Sequence, residues 1–340
     1  MSNLSDLKIT HCPGTLATGY TTYSKTCLNR LFQGRKVHHI LPYDSPASSE
    51  DNQLLFAENH KRISISGVQE KFSVLLEKNK LRLVNEGEQG QYILKPIPYP
   101  VKNAAQMPAN EHLTMQIARQ FFGIETAENA LIFFRNGEPA YITKRFDIVE
   151  TTTINQSDVS HLTKWAKEDF ASLAGRTPQT HGEHYKYLGS YLELFELMRK
   201  YLPAYKLEAP KLLKLLIFNY LFSNGDAHFK NFSLLETFFG DYRLSPAYDL
   251  LNTSIHINDS DFALDEGLLP KSMNRGKVRE QFVILASEAG IAEKQVDNVL
   301  KSMLSNTEKV EGLISTSFLD ERFKRNYLQA YQTRLKKMKR

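Results

Sequence analysis

A loop at residues 224–231 combines side chains that phosphoryl transfer requires. It has the sequence Asn-Gly-Asp-Ala-His-Phe-Lys-Asn and directly follows a mostly apolar stretch that predicts a buried helix. Because Asp226 and Asn231 are five residues apart, the loop can supply both a carboxylate that accepts a hydroxyl proton and an amide oxygen that binds Mg²⁺. Lys230 could hold the phosphate that is transferred. The alternative is a capped turn, since Asp and Asn are common turn residues.

Asp249 is the second candidate metal ligand. It lies in the sequence Pro-Ala-Tyr-Asp-Leu, shortly after the strand-like run from Tyr242 to Leu244. Asp249 could face the same site as Asn231, because the two residues flank a segment of the length of a β-hairpin. The alternative is a simple turn after Pro246, in which the Asp side chain bonds to its own backbone.

Lys95 is a candidate ligand for nucleotide phosphates. It ends the short apolar run Tyr-Ile-Leu-Lys, and Glu111 opens the next predicted helix. Kinases pair a strand lysine with a helix glutamate in this way. The alternative is an edge-strand lysine whose aliphatic stem covers apolar surface.

The stretch Ser-Ile-Ser-Gly-Val-Gln-Glu-Lys at residues 64–71 is a weaker candidate for a phosphate-binding loop. Gly67 permits close approach of the backbone, and successive amide groups in such a turn can cradle a phosphate. The stretch is neither a P-loop nor a Gly-x-Gly-x-x-Gly loop. An ordinary turn before a strand remains the alternative.

The elements that must position these residues differ between the two ends of the chain. The N-terminal region predicts hairpins at 72–76 with 81–84 and at 130–134 with 140–144, and a helix that Asn110 caps and that ends at Gly123. After a polar linker or hairpin at 151–160, helices are predicted at 188–201, 210–222, 277–289, 293–310 and 318–338. The pattern predicts an α+β protein with a β-rich domain at 1–147 and a larger helical domain at 148–340.

Composition excludes several classes of protein. The 340 residues include 41% apolar and 24% charged residues, and 43 basic against 38 acidic residues give a net charge of +5. This balance is typical of a globular protein and is too mild to indicate nucleic-acid binding by itself. No apolar run approaches the roughly 18 residues of a membrane span. The two cysteines form no Cys-x-x-Cys pair, and we expect a cytoplasmic protein.

Together, these segments resemble the HipA family of bacterial toxin kinases. The matches follow one order along residues 63–255, which makes the set more specific than any one motif. They are Ser-Ile-Ser-Gly-Val-Gln-Glu-Lys at 64–71, Ile-Leu-Lys-Pro at 93–96, Asn-Glu at 110–111, Arg-Phe-Asp at 145–147, Glu-Asp-Phe at 168–170, the loop at 224–231 and Tyr-Asp at 248–249.

The resemblance implies a bilobal, protein-kinase-like fold and a serine/threonine protein kinase that uses ATP and Mg²⁺. It implies Asp226 as catalytic base, Asn231 and Asp249 as Mg²⁺ ligands, and Ser64 and Ser66 as autophosphorylation sites. The implied nucleotide-binding residues are Ser66, Gly67, Val68, Gln69, Glu70, Lys71, Lys95, Lys144, Arg145, Phe146, His228 and Lys230. The segment at 144–146 would lie beside adenine, although larger members carry an acidic residue where this chain has Lys144.

The resemblance also implies partners. Family members look like kinases of aminoacyl-tRNA synthetases, paired with a HipB-like DNA-binding antitoxin, so we expect contact with DNA only through that complex. The Ser-x-Ser motif and the 63 residues before it look more like HipT, the kinase of the three-gene HipBST arrangement, in which a small HipS-like protein is separate. Two alternatives remain: a non-catalytic nucleotide-binding scaffold of the same fold, and a nucleic-acid-binding module, which the mild charge disfavours.

Overall fold

A computed structural model of the chain describes residues 8–48, 56, 70–98, 102–152, 160–257 and 260–340. Its internal contacts divide the chain into two compact units. The first unit comprises Met1–Gln116, Ala127–Thr163 and Gly312–Lys324, and the second comprises Ile117–Thr126, Lys164–Glu311 and Arg325–Arg340. The predicted division into a β-rich domain at 1–147 and a helical domain at 148–340 stays a prediction.

A five-stranded antiparallel sheet dominates the first unit. Its strands are β1 (Phe72–Glu77), β2 (Lys80–Leu83), β3 (Tyr92–Lys95), β4 (Asn129–Phe133) and β5 (Pro139–Lys144), in the order β2-β1-β3-β5-β4. Both predicted hairpins are confirmed, with Val74 opposite Leu83 and Leu131 opposite Tyr141. The second hairpin turns at Asn136-Gly137, where Gly137 has a φ of 87° that side chains disfavour.

Helix α1 (Lys25–Phe32) packs against this sheet, and buried apolar residues of both form one core. Ser24 caps the helix by accepting the amide of Cys27, and Leu31 and Phe32 are buried at its end. The ring of Phe32 lies 5.7 Å from that of Tyr92 on β3, so the helix is anchored to the centre of the sheet. A further pair of strands, β6 (Ile148–Thr152) and β7 (Ser160–Lys164), forms a two-stranded sheet where a linker or hairpin was predicted.

Helix α2 (Met107–Phe122) begins three residues before the predicted start at Asn110. The predicted cap is wrong because a 3₁₀ turn at Ala104–Gln106 leads directly into the helix, and Pro108 is tolerated in a first turn. Asn110 is instead buried inside the helix, where its carbonyl accepts the hydroxyl of Thr114. Glu111 therefore lies in the second turn and not at the helix entrance.

The second unit is mainly helical, as predicted, with a small antiparallel sheet. Its helices are α3 (Phe170–Leu173), α4 (Pro178–His181), α5 (Tyr191–Tyr201), α6 (Tyr205–Leu221), α7 (Val278–Glu288), α8 (Glu293–Met303), α9 (Thr307–Ser315) and α10 (Glu321–Lys339), although α9 and the start of α10 extend into the first unit. Its strands are β8 (Lys167–Asp169), β9 (Ser233–Glu236) and β10 (Tyr242–Leu244), in the order β10-β9-β8. Within the described residues, no helix is long and apolar enough to span a membrane.

Two predicted helices needed correction. Helix α6 starts at Tyr205 and not at Pro210, which lies inside it. The helix predicted at 293–310 is two helices, α8 and α9, because the chain turns at Asn306. The side-chain amide of Asn306 donates to the carbonyl of Phe121, and its own carbonyl accepts the amide of Val310 at the start of α9.

Buried aromatic rings fix helix α6 in the second unit. Phe222 follows the helix and stacks on Phe218 at 4.3 Å and on Tyr331 of α10 at 4.7 Å, with interplanar angles of 26° and 12°. Stacked aromatic pairs contribute beyond their buried area. The end of α6, from which the loop at 224–231 continues, is therefore held against α10.

The first unit should lose stability in mild acid because two of its histidines are buried. Burial lowers the pKa of His112 from 6.5 to about 4, and burial together with His38 lowers that of His39 to about 4. The unfolded chain then binds more protons than the folded chain between about pH 6.5 and pH 4. Each neutral, buried histidine contributes fully to the free energy of unfolding above pH 6.5. This contribution is lost as the pH falls through the window.

Between pH 7 and pH 5, the free energy of unfolding should fall by about 2 kcal/mol less in His112→Gln than in wild type. Linkage gives about 1.4 kcal/mol per pH unit for one buried histidine. Urea unfolding at both pH values measures this difference. The control is His181→Gln, because His181 is exposed at the end of α4. An equal loss in wild type and His112→Gln would contradict the assignment.

Candidate active site

Hydrogen bonds from the hydroxyl groups of two distant residues fix the backbone of the loop at 224–231. Ser223 turns the chain out of α6 with a φ of 53°. The hydroxyl of Thr253 donates to the carbonyl of Ser223 at 2.9 Å and accepts the amide of Gly225 at 2.9 Å. The hydroxyl of Tyr191 on α5 donates to the carbonyl of Ala227 at 2.7 Å. The loop is thus a defined support for its side chains.

Asp226 presents a carboxylate that solvent can reach. Its side chain is 45% exposed, whereas His228 two residues later is 8% exposed. Oδ1 of Asp226 accepts the hydroxyl of Tyr187 at 2.7 Å, and Nε2 of His228 lies 3.9 Å from the same oxygen. Within the described residues, Oδ2 has no hydrogen-bond partner, so it can accept a bond from another molecule.

His228 is neutral at physiological pH. Burial lowers its pKa from 6.5 to about 4, against an opposite influence of Asp226. Its Nδ1 is buried and has no hydrogen-bond partner among the residues described. Its ring contacts that of Tyr187 edge to face at 5.1 Å. His228 therefore offers an uncharged ring beside Asp226 and a polar atom that a bound molecule could satisfy.

The segment that carries Asp249 is joined to this loop. Nδ2 of Asn224 donates to Oδ1 of Asn219 at 3.0 Å and contacts the carbonyl of Asp249 at 3.4 Å. The hydroxyl of Tyr248 donates to the carbonyl of Lys230 at 2.9 Å. Asp249 itself has a φ of 55°, a left-handed conformation that Asp tolerates better than most residues. Such backbone positions occur often at functional sites.

The donors in this region fit Mg²⁺. Asn231 is half-buried, and Asp249 lies on the segment bound to its loop. Oδ1 of Asn224 is buried without a hydrogen-bond partner in the described part of the chain. Carboxylate and amide oxygens suit this hard cation, which commonly takes one or two carboxylates and completes its shell with phosphate and water. No group of three His, Cys, Asp or Glu side chains that could hold a metal occurs among the described residues.

Lys230 is the cation of the loop. Its Nζ donates to the hydroxyl of Tyr185 at 3.3 Å and lies 3.9 Å from Oδ2 of Asp169. Asp169 in turn caps α3 by accepting the amide of Ser172. Lys230 is partly exposed, so its ammonium group is held near the loop and can still contact an anion.

A buried ion pair occupies the first unit. Nζ of Lys95 lies 2.7 Å from Oε1 of Glu111, and the two side chains are 4% and 6% exposed. Nζ also lies 5.3 Å from the ring centroid of Tyr141. Strand β3 is bordered by β1 and β5, so Lys95 is on a central strand and not on an edge strand. The geometry matches the strand lysine and helix glutamate of kinases.

The remaining predicted residues lie at the ends of strands or outside the described chain. Lys144 ends β5, and Arg145 donates twice to Asp147, at 3.1 and 2.6 Å. Glu70 and Lys71 lead into β1. The other members of the predicted phosphate loop fall outside the described residues: Ser64, Ser66, Gly67, Val68 and Gln69. The contact of 144–146 with adenine stays a prediction.

The structure gathers one group of predicted residues in each unit. Asp226, His228, Lys230, Asn231 and Asp249 lie in the second unit, and Lys95 lies with its glutamate in the first. Sequence reasoning missed Tyr185, Tyr187 and Thr253, which contact the loop from distant segments. Nothing in their local sequence signals these contacts, because hydroxyl partners 28 to 45 residues away become neighbours only on folding.

Comparison with known proteins identifies relatives along most of the chain. The sequence profile of the HipA-like C-terminal domain matches residues 63–310. A protein of Haemophilus influenzae named "Putative kinase" is 25% identical over 92% of this chain and 91% of its own length. "Putative kinase Y4dM" of Sinorhizobium fredii is 29% identical over 76% of this chain, which spans only 62% of that relative.

A solved structure shares the fold. It is the complex of HipA, HipB and operator DNA from the toxin–antitoxin system of Shewanella oneidensis MR-1, with a TM-score of 0.60 and 20% sequence identity. The match covers 80% of this chain and 63% of the other. The predicted α+β, protein-kinase-like fold class is confirmed.

Loss of one partner of the Lys95–Glu111 pair should lower the free energy of unfolding strongly, whereas replacement of both partners should lower it little. Removal of one partner from a buried ion pair costs about 3–5 kcal/mol, because the other charge remains desolvated. We therefore expect Lys95→Met and Glu111→Leu each to reduce stability by that amount. The double variant should lie within about 2 kcal/mol of wild type, since two apolar residues leave no buried charge.

Urea unfolding of the four proteins measures the coupling. Arg82→Met is the matched control in the same unit, since Arg82 pairs with Glu77 and Glu88 on a partly exposed surface and should cost less than about 1 kcal/mol. Additive losses in the double variant would show that the two side chains are not coupled.

Proposed function

Because the chain belongs to the HipA-like C-terminal domain family, we propose that it is an ATP-dependent serine/threonine protein kinase and the toxin of a bacterial toxin–antitoxin system. The observation that carries the proposal is the fixed loop at 224–231, which presents the half-exposed carboxylate of Asp226, also carries Lys230 and is bonded to the segment of Asp249. The names of the relatives support a kinase.

Each residue has a role in the proposed reaction. Asp226 accepts the proton of the acceptor hydroxyl, and its exposure allows a side chain of another protein to reach it. Asn231 and Asp249 hold Mg²⁺, which neutralises phosphate charge when it is bound with ATP. Lys230 holds the transferring phosphoryl group, and Lys95 binds the nucleotide phosphates while Glu111 fixes its position.

The loop at 66–71 covers the nucleotide in this proposal, and Ser64 and Ser66 are autophosphorylation sites. A phosphate at either serine adds about −1.5 to −2 charges. It would repel the phosphates of ATP, so the phosphorylated protein should bind ATP weakly. Support for these roles is that residues 64–71 lie within the range 63–310 that matches the family profile.

Asp226→Asn should abolish phosphoryl transfer and preserve the fold. The change removes the proton acceptor at nearly constant volume, and loss of a general base costs about 10²- to 10⁴-fold in rate. The assay incubates the protein with γ-labelled ATP and then maps phosphate on Ser64 and Ser66 by mass spectrometry. We expect phosphoserine in wild type and none in Asp226→Asn.

Asp297→Asn on the exposed face of α8 is the control and should keep full activity. Wild-type turnover in Asp226→Asn would refute its role as the base. A wild-type protein that binds ATP and transfers no phosphate would instead favour the non-catalytic scaffold.

We further propose three partners. The protein substrate is an aminoacyl-tRNA synthetase, which follows from the resemblance to the HipA family. A HipB-like DNA-binding antitoxin binds the chain, as supported by the Shewanella complex of HipA, HipB and operator DNA. A small HipS-like protein is the third partner, on the basis of the Ser-x-Ser motif at 64–66.

Co-expression with the neighbouring reading frames should recover both small proteins with the tagged kinase. The Asp226→Asn chain should recover the same partners, because the change leaves its surface nearly the same. Phosphoproteomics after brief expression of wild type and Asp226→Asn identifies the substrate. If the kinase emerges alone and the neighbours do not relieve growth arrest, the proposed partners are wrong.

A further inference from the structure

One short turn places two tyrosine hydroxyls on the two charged groups of the loop at 224–231. This 3₁₀ turn is Tyr185–Tyr187. The hydroxyl of Tyr187 lies 2.7 Å from Oδ1 of Asp226, and the hydroxyl of Tyr185 lies 3.3 Å from Nζ of Lys230. The same turn therefore contacts both the proposed proton acceptor and the proposed phosphate-binding cation.

The turn is itself held in place. The carbonyl of Tyr187 accepts the amide of Asp265 at 3.0 Å, and Oδ1 of Asp265 accepts the amide of Gly189 at 2.7 Å. Arg176 donates to the carbonyl of Leu188 at 2.6 Å. The Tyr187 hydroxyl is thus a donor whose backbone is fixed independently of the loop.

Of the two carboxylate oxygens of Asp226, the Tyr187 hydroxyl bonds to Oδ1. Oδ1 of Asp226 accepts its proton and faces Nε2 of His228 at 3.9 Å. Oδ2 has no hydrogen-bond partner among the described residues, and the side chain is 45% exposed. An acceptor hydroxyl can therefore approach Oδ2 while the bond from Tyr187 is intact.

We propose that Tyr187 is a positioning residue for Asp226, and the proposal rests on the proposed kinase function. Its hydroxyl holds the carboxylate in the rotamer that presents Oδ2 to the acceptor hydroxyl. A catalytic base must lie about 2.6–3.2 Å from the proton that it takes, and misplacement by about 1 Å can cost 10²-fold in rate. A freely rotating Asp226 would spend less time in the productive orientation.

The bond from Tyr187 to Asp226 is also compatible with an inhibitory role for Tyr187, and experiment distinguishes the two roles. A hydroxyl that donates to a catalytic carboxylate at 2.7 Å lies where the hydroxyl of a phosphoryl acceptor would lie. Tyr187 could therefore block Asp226 and inhibit the enzyme. Removal of a blocking hydroxyl would raise turnover, whereas removal of a positioning hydroxyl lowers it. The unpartnered Oδ2 favours positioning.

The test compares Tyr187→Phe with wild type, Asp226→Asn and the control Tyr201→Phe, whose tyrosine is 38% exposed at the end of α5. Initial rates of ADP formation, measured with a generic acceptor protein, give kcat and KM for ATP, and a fluorescent ATP analogue gives the nucleotide Kd. We expect Tyr187→Phe to lower kcat by about 10- to 100-fold, the range that one hydrogen bond to a charged group supports. KM, Kd and the unfolding midpoint should stay within about twofold or a few degrees of wild type.

The outcomes separate the two levels of the proposal. If wild type is active and Tyr187→Phe has the same kcat, Tyr187 is not a positioning residue, although the kinase function stands. A higher kcat in Tyr187→Phe overturns positioning in favour of inhibition. A parallel change of kcat, Kd and unfolding midpoint also overturns it, because that pattern indicates a structural role. If wild type is no more active than Asp226→Asn, the kinase function fails and the inference fails with it.

Discussion

The buried side-chain amide of Asn224 is the constraint on which the second unit's site depends. It is 4% exposed and connects three segments, because its Nδ2 reaches both Asn219 inside α6 and the backbone of Asp249. Burial of an amide donor is unfavourable unless its hydrogen bonds are made, so the two bonds of Nδ2 link the loop and the Asp249 segment to one geometry. The aromatic stack of Phe218, Phe222 and Tyr331 then fixes α6, and the loop inherits that position.

The charged side chains of Lys95 and Glu111 are buried in the first unit, whereas that of Asp226 in the second unit is partly exposed, and this difference in desolvation determines how each is held. Lys95 and Glu111 are almost fully buried, so each needs the other, and their mutual position is determined strongly. Asp226 remains nearly half exposed, and in the proposed reaction a protein substrate would reach it from solvent. Its orientation cannot come from burial, and hydrogen bonds from the protein have to supply it. Because the Asp226 carboxylate is open to solvent, its orientation depends on a fixed donor such as the hydroxyl of Tyr187.

Local signals explain what could be predicted from the sequence. Asn136-Gly137 determines its hairpin because the turn requires a positive φ, which Gly137 adopts, and the apolar period of α6 identifies a buried helix. Helix starts were less accurate, because Pro108 and Pro210 both lie inside helices that the sequence predicted to begin later. The α+β fold class and the helical nature of the second unit needed only these periodic patterns.

Contacts between distant segments explain what could not be predicted. Tyr187 and Asp226 are 39 residues apart, and Thr253 lies 28 residues after Gly225. A tyrosine near a histidine and a lysine in sequence is unremarkable, and only the folded chain brings its hydroxyl to the carboxylate.

A neutral hydroxyl as the partner of Asp226 nevertheless has a physical reason. A cation at the same distance would stabilise the ionised carboxylate and make it a weaker base. The neutral hydroxyl of Tyr187 restricts rotation of the Asp226 side chain without adding a charge. The neutral ring of His228 beside the same oxygen follows the same logic, because burial lowers its pKa to about 4 and so removes a positive charge at physiological pH. In the proposed reaction, Asp226 therefore takes its orientation from a neutral donor, the hydroxyl of Tyr187.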